Sequence, residues 1–590
     1  MNKQLIGFLA ILAALAVLAL CAIFAFSIFG SYGKGTLPSH ILLEADFERS
    51  IEEYVPEQPI TKVFGGEEPT TRDVVDAIDR AAKDERVTGL VARLGAVPMG
   101  LAQIQEIRDA VGRFRAAGKP AIAWAETFGE FGPGNGSYYL ATAFDTIYLQ
   151  PSGDVGLTGL MYESPFVRGM FDKLDVVPRM DHRYEYKNAM NFYTEKKFTD
   201  AHREAMKVLM DSQFSQMVAG VAKGRGLTDA QVRKVFDDGP YLGQQAVDVK
   251  LVDGLLYRDE VYGRAREKMG KDGKLLYLEK YLERAGRPHD EGAKIALIYG
   301  VGAVQRGAGG FSPLTGSAMG SDTVAAAFRM ARNDHDVKAV VFRVDSPGGS
   351  YVASDTIWRE TQLTRKAGKP VIVTMGNLAG SGGYFVAMGA DKIVAQPGTI
   401  TASIGVLGGK LLTKGFWEKL GITYDEVHTS DNGTMFTASQ DYTPKEWDKF
   451  QQWLDRVYTD FTSKVADGRK LPKEKVLDIA KGRIWTGEDA LRLGLVDQLG
   501  GFDVALKLAK EAAKIPAADD VKIVVFPRKK TFVESLTQQA PDNSEGEASA
   551  DARIALRDDL RPVIGLMREL ALVADPPGVL TMPMMSPPRR

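Results

Sequence analysis

The chain is poor in cysteine and histidine, and this shortage excludes several kinds of site. Cys21 is the single cysteine in 590 residues, so a disulfide framework and a thiolate metal cluster are both excluded. The histidines are His40, His182, His202, His289, His335 and His428. They are scattered without the spacing of helical or finger-like metal ligands, so we expect no metal ion and no other cofactor.

An excess of charge of one sign is also missing. Lysine and arginine number 74, aspartate and glutamate number 76, and the formal net charge is −2. Such a balance gives no bulk electrostatic attraction for a phosphate backbone. We therefore expect no nucleic acid among the partners.

The amino terminus contains a long uncharged stretch, residues 5–29. As a helix rising ~1.5 Å per residue, about 25 apolar residues cross a hydrocarbon layer ~30 Å thick. A cleaved secretory signal is the alternative, but its apolar region normally has ~7 to 15 residues. We predict an uncleaved anchor. Lys3 and the terminal amine, weighed against Lys34 beyond the span, favour a cytoplasmic amino terminus with the remaining chain outside the cytoplasm.

Strand-like and helix-like segments alternate after this stretch, and the same series occurs twice. HILLEADF, VTGLVARL and AIAWAET have the pattern of strands separated by amphipathic helices, which predicts a parallel sheet covered by helices. AKIALIYG begins the second series about 250 residues later, and AGKP occurs at 117–120 and again at 367–370. LVD likewise occurs at 251–253 and 495–497. The ordered matches predict two copies of one α/β unit.

The repeat divides the chain into four parts. We assign residues 1–44 to the anchor and juxtamembrane segment, 45–288 to the first α/β unit, 289–526 to the second, and 527–590 to a polar linker and tail. A length of 590 residues already favours two to four domains over a single core. For the tail, an ordinary exposed terminus and a docking segment both remain open.

Glycines after the second strand distinguish the two copies. The second copy has DSPGGS at 345–350, where the first has GAVPMG at 95–100. Adjacent Gly348 and Gly349 let the backbone approach a ligand and direct N–H groups at it, as an oxyanion hole requires. A tight turn is the alternative. Since the first copy lacks adjacent glycines at this position, the fold does not require them to form the turn.

Ser381 stands in AGSGGYFVAMGAD, where a gapless alignment gives the first copy Asn135. Gly382 and Gly383 begin a predicted helix, so the serine would lie near unpaired N–H groups and the positive end of the helix dipole. This environment favours alkoxide character. The alternative is a serine that only caps the helix. The stretch departs from the hydrolase pattern G-x-S-x-G, because Ala379 takes the place of the first glycine.

Lys187 in the first copy aligns with Gly433 in the second. One copy thus keeps a lysine, and the other keeps a serine with glycine donors. This complementary pattern favours one site shared between the two units. Ordinary sequence drift is the alternative explanation. A neutral lysine can take the proton of a serine if burial lowers its pKa by ~3 units from ~10.4. The apolar side chains of Met190, Phe192 and Tyr193 are close enough in sequence to supply that cover.

A histidine base is the competing hypothesis. His182 lies five residues before Lys187, and His428 flanks the equivalent loop of the second copy. Because both histidines occur at the same place in both copies, a shared structural role fits them better than catalysis.

Together the anchor, the doubled unit, DSPGGS, AGSGGYFVAMGAD and YKNAM resemble the signal peptide peptidase A (protease IV) family in its long tandem form. The units of that family are similar to the Clp-protease and crotonase superfamily. The resemblance implies a serine endopeptidase with Ser381 as nucleophile and Lys187 as general base. It also implies that backbone N–H groups around Gly348, Gly349 and Gly382 hold the oxyanion.

The resemblance further implies peptide substrates, namely signal peptides already released from preproteins. It implies a bowl-like homotetramer on the outer face of the cytoplasmic membrane. Two other functions remain open. An acyl-CoA enzyme of the crotonase type would steady a thioester enolate without needing Ser381 or an extracytoplasmic location. An inactive membrane scaffold is the second, and the retained serine, lysine and glycines argue against it.

Overall fold

The computed structural model describes residues 36–54, 68–95, 99–269, 274–312 and 316–527. The predicted anchor at 5–29 and the tail beyond 527 lie outside these ranges. Within them, no helix is both long and apolar enough to cross a bilayer.

The first unit is a parallel sheet with helices packed against it. Its strands are β1 (Ile41–Asp46), β2 (Val87–Leu94), β3 (Ala121–Ala125), β4 (Thr146–Leu149), β5 (Asp154–Val155), β6 (Val177–Arg183), β7 (Tyr241–Leu242), β8 (Gly254–Leu255) and β9 (Lys274–Tyr277). Its helices are α1 (Thr71–Lys83), α2 (Leu101–Ala116), α3 (Asn135–Ala141), α4 (Arg168–Leu174), α5 (Asn191–Thr194), α6 (Asp200–Arg225), α7 (Asp229–Asp238), α8 (Gly243–Asp248), α9 (Arg258–Met269) and α10 (Leu278–Ala285). Hydrogen bonds order the parallel sheet β8-β4-β3-β2-β1-β9, and β5 pairs antiparallel with β7.

The second unit repeats this arrangement. Its strands are β10 (Ala293–Val301), β11 (Ala303–Gln305), β12 (Gly310–Ser312), β13 (Gly316–Gly320), β14 (Val337–Ser346), β15 (Val371–Gly380), β16 (Lys392–Ala395), β17 (Ile400–Ala402), β18 (Val406–Leu412), β19 (Ile484–Thr486), β20 (Gln498–Leu499) and β21 (Val521–Phe526). Its helices are α11 (Ser321–Asn333), α12 (Tyr351–Lys366), α13 (Gly382–Ala387), α14 (Lys414–Lys419), α15 (Pro444–Arg469), α16 (Lys473–Ile479), α17 (Gly487–Leu493) and α18 (Phe502–Ala512). The main sheet runs β19-β17-β15-β14-β10-β21, with β16 beside β15 and β20 beside β16, and only β19 is antiparallel to its neighbour in it.

The strands of both sheets are apolar on both faces, as expected for parallel sheets covered by helices. In β1, Ile41 and Leu43 belong to one buried cluster and Leu42 to another. In β10, Leu297 belongs to one cluster and Ile298 to another on the opposite face. Because successive side chains of a strand point to opposite faces, each sheet is the middle layer of its unit.

The repeated AGKP phrase ends the same helix in both units. Gly118 has φ +80° and Gly368 has φ +82°, the left-handed conformation that closes α2 and α12. Lys119 then donates to two backbone carbonyls at the end of α1, and Lys369 donates to the two equivalent carbonyls at the end of α11. The prediction of two α/β units with parallel sheets is therefore confirmed at the level of individual contacts.

An antiparallel ladder between β6 and β18 joins the two units. It pairs Val177–Arg183 of the first unit with Val406–Leu412 of the second, from Val406 opposite Arg183 to Leu412 opposite Val177. A buried ion cluster provides a second junction, where Arg343 donates to the carboxylates of Glu53 and Glu106. The ladder determines where the loop after β6 lies, and that loop carries Lys187.

Candidate active site

Ser381 occupies the sharp turn between β15 and α13. Its φ is 53° and its ψ −115°, a conformation that non-glycine residues rarely adopt. Its N–H donates to Ala402 O at 2.7 Å, and its side chain makes no capping hydrogen bond to the helix. Ser381 thus stands at the N-cap position, but its hydroxyl does not cap the helix and is directed elsewhere.

Lys187 reaches this hydroxyl from the other unit. Its Nζ lies 3.0 Å from Ser381 Oγ, and 2.9 Å from both the Oγ and the carbonyl oxygen of Ser403. The residue is 6% exposed. The structure thus brings together the lysine and the serine that the sequence placed in different copies.

Burial lowers the pKa of the Lys187 amine to about 7. In the neutral form, an amine has two N–H donors and one lone pair. Two donors match the two Ser403 oxygens, and the lone pair matches the Ser381 hydroxyl proton. Ser403 Oγ itself lies 3.5 Å from Gly482 O, which accepts its proton. The hydrogen-bond network is therefore complete with a neutral lysine.

The lysine loop is fixed against the second unit by its backbone. Tyr186 N–H donates to Lys481 O at 3.1 Å, and a Cβ on Gly482 would lie 2.6 Å from the Lys187 backbone nitrogen. At the end of β6, Arg183 donates to Asp455 Oδ1 at 2.6 Å. A glycine at 482 is needed here because the two loops approach so closely.

Ser403 is a site residue that the sequence reasoning missed. It lies in PGTITASIG, directly after β17 ends at Ala402, and has φ 51°. The internal comparison contained a usable signal, because the aligned residue of the first copy is Leu157. At both 381 and 403, the second copy has a serine where the first copy has a residue without a hydroxyl group.

The glycine pair lies against the turn that carries Ser381. A Cβ on Gly348 would lie 2.6 Å from Gly382 N, and one on Gly349 would lie 2.2 Å from Val304 O. The N–H of Gly348 donates to Ser346 Oγ at 3.2 Å. The N–H groups of Gly349 and Gly382 donate to no other group among the described residues. Three backbone N–H groups are expected to hold the oxyanion. Within the described ranges, those of Gly349 and Gly382 have no hydrogen-bond partner, whereas that of Gly348 donates to Ser346 Oγ.

The competing histidines do not take part in this network. His182 lies within β6, where its Nδ1 is 3.6 Å from Asp181. His428 is exposed and has a carboxylate oxygen of Glu426 3.7 Å from its Nδ1. Within the part of the chain that the structure describes, neither histidine hydrogen-bonds to Ser381. Among these candidates, Lys187 is the residue within hydrogen-bond distance of Ser381 Oγ.

The apolar side chains expected to cover the lysine differ in their burial. Met190 is buried, Phe192 is half-buried, and Tyr193 is exposed. Tyr193 lies with its ring stacked near Phe171. Close contact with the Gly482 loop also contributes to the burial of the lysine.

The corresponding position in the first unit is occupied by Asn135. Asn135 Nδ2 donates to Gly159 O at 2.8 Å, and its Oδ1 accepts from Thr158 N–H at 3.1 Å. Both polar atoms of the Asn135 amide are therefore hydrogen-bonded to the loop at 158–159. No group of three or more His, Cys, Asp or Glu residues suited to a metal ion occurs in the described ranges.

The family model for Peptidase family S49 matches residues 113–272 and 364–516, which lie in both units and make up more than half of the chain. The chain belongs to peptidase family S49. Protease 4 of Salmonella typhi is 33% identical to it over 455 residues, covering 75% of this chain and 72% of that protein. The chloroplastic serine protease SPPA of Arabidopsis thaliana is 30% identical over 460 residues, covering 77% and 67% respectively.

These relatives confirm the resemblance to signal peptide peptidase A in its tandem form, and membership of the family makes the chain a serine protease. Among solved structures, a ClpP1 mutant from Listeria monocytogenes aligns with 36% of this chain and 94% of its own, at 13% identity and a TM-score of 0.24.

Proposed function

We propose that this serine protease is a membrane-anchored endopeptidase in which Ser381 is the nucleophile and Lys187 the general base. One observation carries the proposal. The Lys187 amine is buried, has a pKa of about 7, and lies 3.0 Å from Ser381 Oγ. A serine hydroxyl is a poor nucleophile until such a base takes its proton.

The proposed reaction passes through an acyl-enzyme. Neutral Lys187 accepts the Ser381 proton as Oγ attacks the scissile carbonyl carbon, and the ammonium then gives that proton to the leaving amine. Lys187 next deprotonates a water molecule that hydrolyses the ester, and Ser381 recovers its proton. The Gly349 and Gly382 N–H groups donate to the carbonyl oxygen while it carries negative charge. Gly348 supports that geometry through its bond to Ser346.

Released signal peptides are the proposed substrates, on the outer face of the cytoplasmic membrane. This assignment is supported by the family resemblance and by the predicted anchor at 5–29. Such peptides are hydrophobic and stay in or on the bilayer, so a tethered enzyme meets them at a raised local concentration. An extended apolar peptide can pair its backbone with the enzyme beside Ser381.

Cleavage of a synthetic signal peptide by the full-length protein in detergent tests the proposal. Ser381→Ala and Lys187→Met should each lower kcat by at least ~10³, as for other nucleophile and base losses. Ser321→Ala and Lys369→Met serve as matched controls, because both residues are remote from the site and only form structural bonds. The controls should retain wild-type rates.

Retained cleavage in Ser381→Ala or Lys187→Met would disprove the assigned roles. Absent peptide cleavage in the wild-type protein, together with turnover of an acyl-CoA thioester, would replace the peptidase by the crotonase-type alternative. Cleavage rates can then be compared between peptides of different length, presented in vesicles or in solution. This comparison tests the substrate class independently of the catalytic residues.

A further inference from the structure

A cavity of about 260 Å³ lies in the first unit, beside Asn135. Six of the residues that line it are apolar: Met99, Leu101, Ile104, Pro133, Leu160 and Met217. The others are Asn135, Gly136 and Gln213, and none of these described residues carries a charge. A mainly apolar lining favours an apolar occupant, because a charged group would lose its hydration there without gaining a partner.

The contacts around this cavity repeat those around Ser381 in the second unit. Gly136 aligns with Gly382 in the gapless block. A Cβ on Gly136 would lie 3.1 Å from Ile104 Cδ1. A Cβ on Gly382 would likewise lie 2.6 Å from Ser354 Oγ. Since Ile104 and Ser354 are each the fourth residue of the equivalent helices α2 and α12, the cavity is the counterpart of the site around Ser381.

The first unit has none of the groups expected to cut a peptide at this place. The alignment puts Met99 where the second unit has Gly349, whose N–H is one of the expected oxyanion donors. Asn135 takes the position of Ser381, and both polar atoms of its amide are bonded to the loop at 158–159. A site changed in this way can hold a chain without cleaving it.

Smaller side chains on two helices leave the cavity open. In the second unit, Tyr351 and Phe461 pack on the ring of Phe385, with centroids 5.7 and 4.8 Å from it. Helices α2 and α12 both have 16 residues, which puts Leu101 at the position of Tyr351. Helices α6 and α15 both have 26 residues, which puts Met217 at the position of Phe461. An apolar cavity of ~150 Å³ already accepts benzene, so this larger one accommodates a leucine or phenylalanine side chain.

The cavity also borders the second unit. Gln213 Nε2 donates to Gly398 O at 3.1 Å, and a Cβ on Gly398 would lie 2.6 Å from Leu101 Cγ. Two residues later the chain enters β17, whose last residue Ala402 accepts the N–H of Ser381. Gln213 Oε1 accepts from no group in the described ranges, so it can accept a peptide N–H. An occupant of the cavity is therefore held at the junction of the two units.

We propose that this cavity binds a leucine or phenylalanine side chain of an apolar peptide, which the first unit holds and does not cleave. A peptide is the occupant because the family consists of peptidases and the second unit carries the catalytic groups at the equivalent place. The choice of an apolar peptide rests on the lining and on the proposed substrate class. The binding itself needs neither Ser381 nor Lys187.

Photo-crosslinking of the full-length protein in lipid nanodiscs tests the site. The probe is a leucine-rich peptide in which one leucine carries a diazirine, and the Ser381→Ala variant is used to avoid cleavage of this probe. Mass spectrometry should find cross-links at residues that line the cavity, such as Met99, Ile104 and Met217. Cross-links confined to the second unit would overturn the proposal.

Filling the cavity supplies the variant test. In the Ser381→Ala background, Leu101→Tyr with Met217→Phe introduces the side chains that the second unit has at these positions. First-unit cross-linking should fall about tenfold to 100-fold, the contribution of one buried large apolar side chain. The single variant Leu160→Phe should have the same effect if the double variant melts below its parent. Met170→Phe is the matched control, because Met170 is 49% exposed and does not line the cavity.

The control should keep the cross-linking yield of its parent, and an undiminished yield in a folded, filled variant would contradict the proposal. Competition then separates peptide from lipid. Excess unlabelled peptide should abolish the first-unit cross-links, whereas a long-chain fatty acid should leave them. Competition by the fatty acid alone would overturn the proposal, by assigning the cavity to acyl chains. Because the assay measures binding without cleavage, its outcome is independent of the cleavage assays that test Ser381 and Lys187.

Discussion

At the residue scale, the site depends on the protonation state of Lys187. Its three hydrogen-bond partners are two hydroxyl oxygens and one carbonyl oxygen, on Ser381 and Ser403. A carboxylate partner would hold the proton on the amine, whereas burial beside neutral oxygens lowers the pKa to about 7. The same burial that lowers the pKa of the lysine to about 7 costs folding free energy.

Lys187→Met should therefore stabilise the protein, by an amount that depends on pH. A base with a lower pKa in the folded state binds fewer protons there than when unfolded, so wild-type stability rises between pH 7 and the unfolded pKa of ~10.4. At pH 7 the cost is about 4 kcal/mol. The excess melting temperature of Lys187→Met over wild type should be largest at or below pH 7 and should shrink towards pH 10. A pH-independent difference would contradict the depressed pKa.

Ser403→Ala should lower kcat while leaving KM nearly unchanged. Its hydroxyl and carbonyl oxygens orient the Lys187 amine at 2.9 Å, and loss of the hydroxyl releases one N–H of the base. We expect a loss of about tenfold to 100-fold, because small displacements of catalytic groups have effects of this order. Steady-state kinetics across pH should also show a shifted acidic limb. Wild-type kcat with an unshifted profile would exclude this positioning role.

The sequence predicted Ser381 and Lys187 because each has a counterpart in the other unit that lacks its chemistry. It did not predict Ser403, whose role depends on a backbone turn with φ 51° that points both of its oxygens at the amine. Nor could it show that Gly348 N–H is bonded to Ser346. Both features depend on the local backbone conformation and on side-chain orientation, which the residue types alone do not determine.

At the element scale, the β6–β18 ladder positions Lys187. Lys187 comes four residues after β6 ends, so any shift in the ladder moves the amine relative to Ser381. The strands predicted from HILLEADF, VTGLVARL and AIAWAET correspond to β1, β2 and β3, since their apolar patterns are strong and local. The ladder was not predicted. VLGGKLL in β18 is rich in glycine, and pairing between distant segments leaves no local signal.

Gly409→Ala should displace Lys187 from Ser381 without unfolding either unit. Gly409 has φ +139°, and a Cβ there would lie 2.4 Å from Arg179 O across the ladder. We expect at least a tenfold loss of kcat/KM, since the ladder must shift to make room. Gly112→Ala is the matched control, because its Cβ meets nothing within 4 Å in a helix. It should raise the free energy of unfolding by about 0.5–1 kcal/mol with full activity. Equal activity in both variants would refute the role of the ladder.

At the scale of the whole molecule, a buried ion cluster supports the contact between units. Arg343 is 3% exposed and donates to Glu53 at 2.6 Å and to Glu106 at 2.8 Å. Glu106 also accepts the N–H of Phe502 at 2.7 Å. Burial raises the pKa of Glu53 to about 7 despite the neighbouring guanidinium. The sequence analysis did not predict this cluster, because its charged residues come from three distant segments.

Arg343→Met should destabilise the protein by about 3–5 kcal/mol at pH 8, because it leaves two buried carboxylates without a counter-ion. A carboxylate with a raised folded pKa binds more protons when folded, so its penalty falls as pH decreases from about 7 towards its unfolded pKa. Denaturant unfolding at pH 8 and pH 5 should therefore show a smaller loss at pH 5. An equal loss at both pH values would contradict this account of the cluster.

The most direct test of the central claim is the pH dependence of Ser381 acylation by a fluorophosphonate probe, with the labelled residue identified by mass spectrometry. We expect labelling at Ser381, with a rate that rises with pH through an apparent pKa of about 7 and then stays constant. In Lys187→Met the rate should fall by at least ~10³ and lose that inflection. Labelling of Lys187→Met at the wild-type rate, or a wild-type inflection near the ordinary lysine value of ~10.4, would contradict the account.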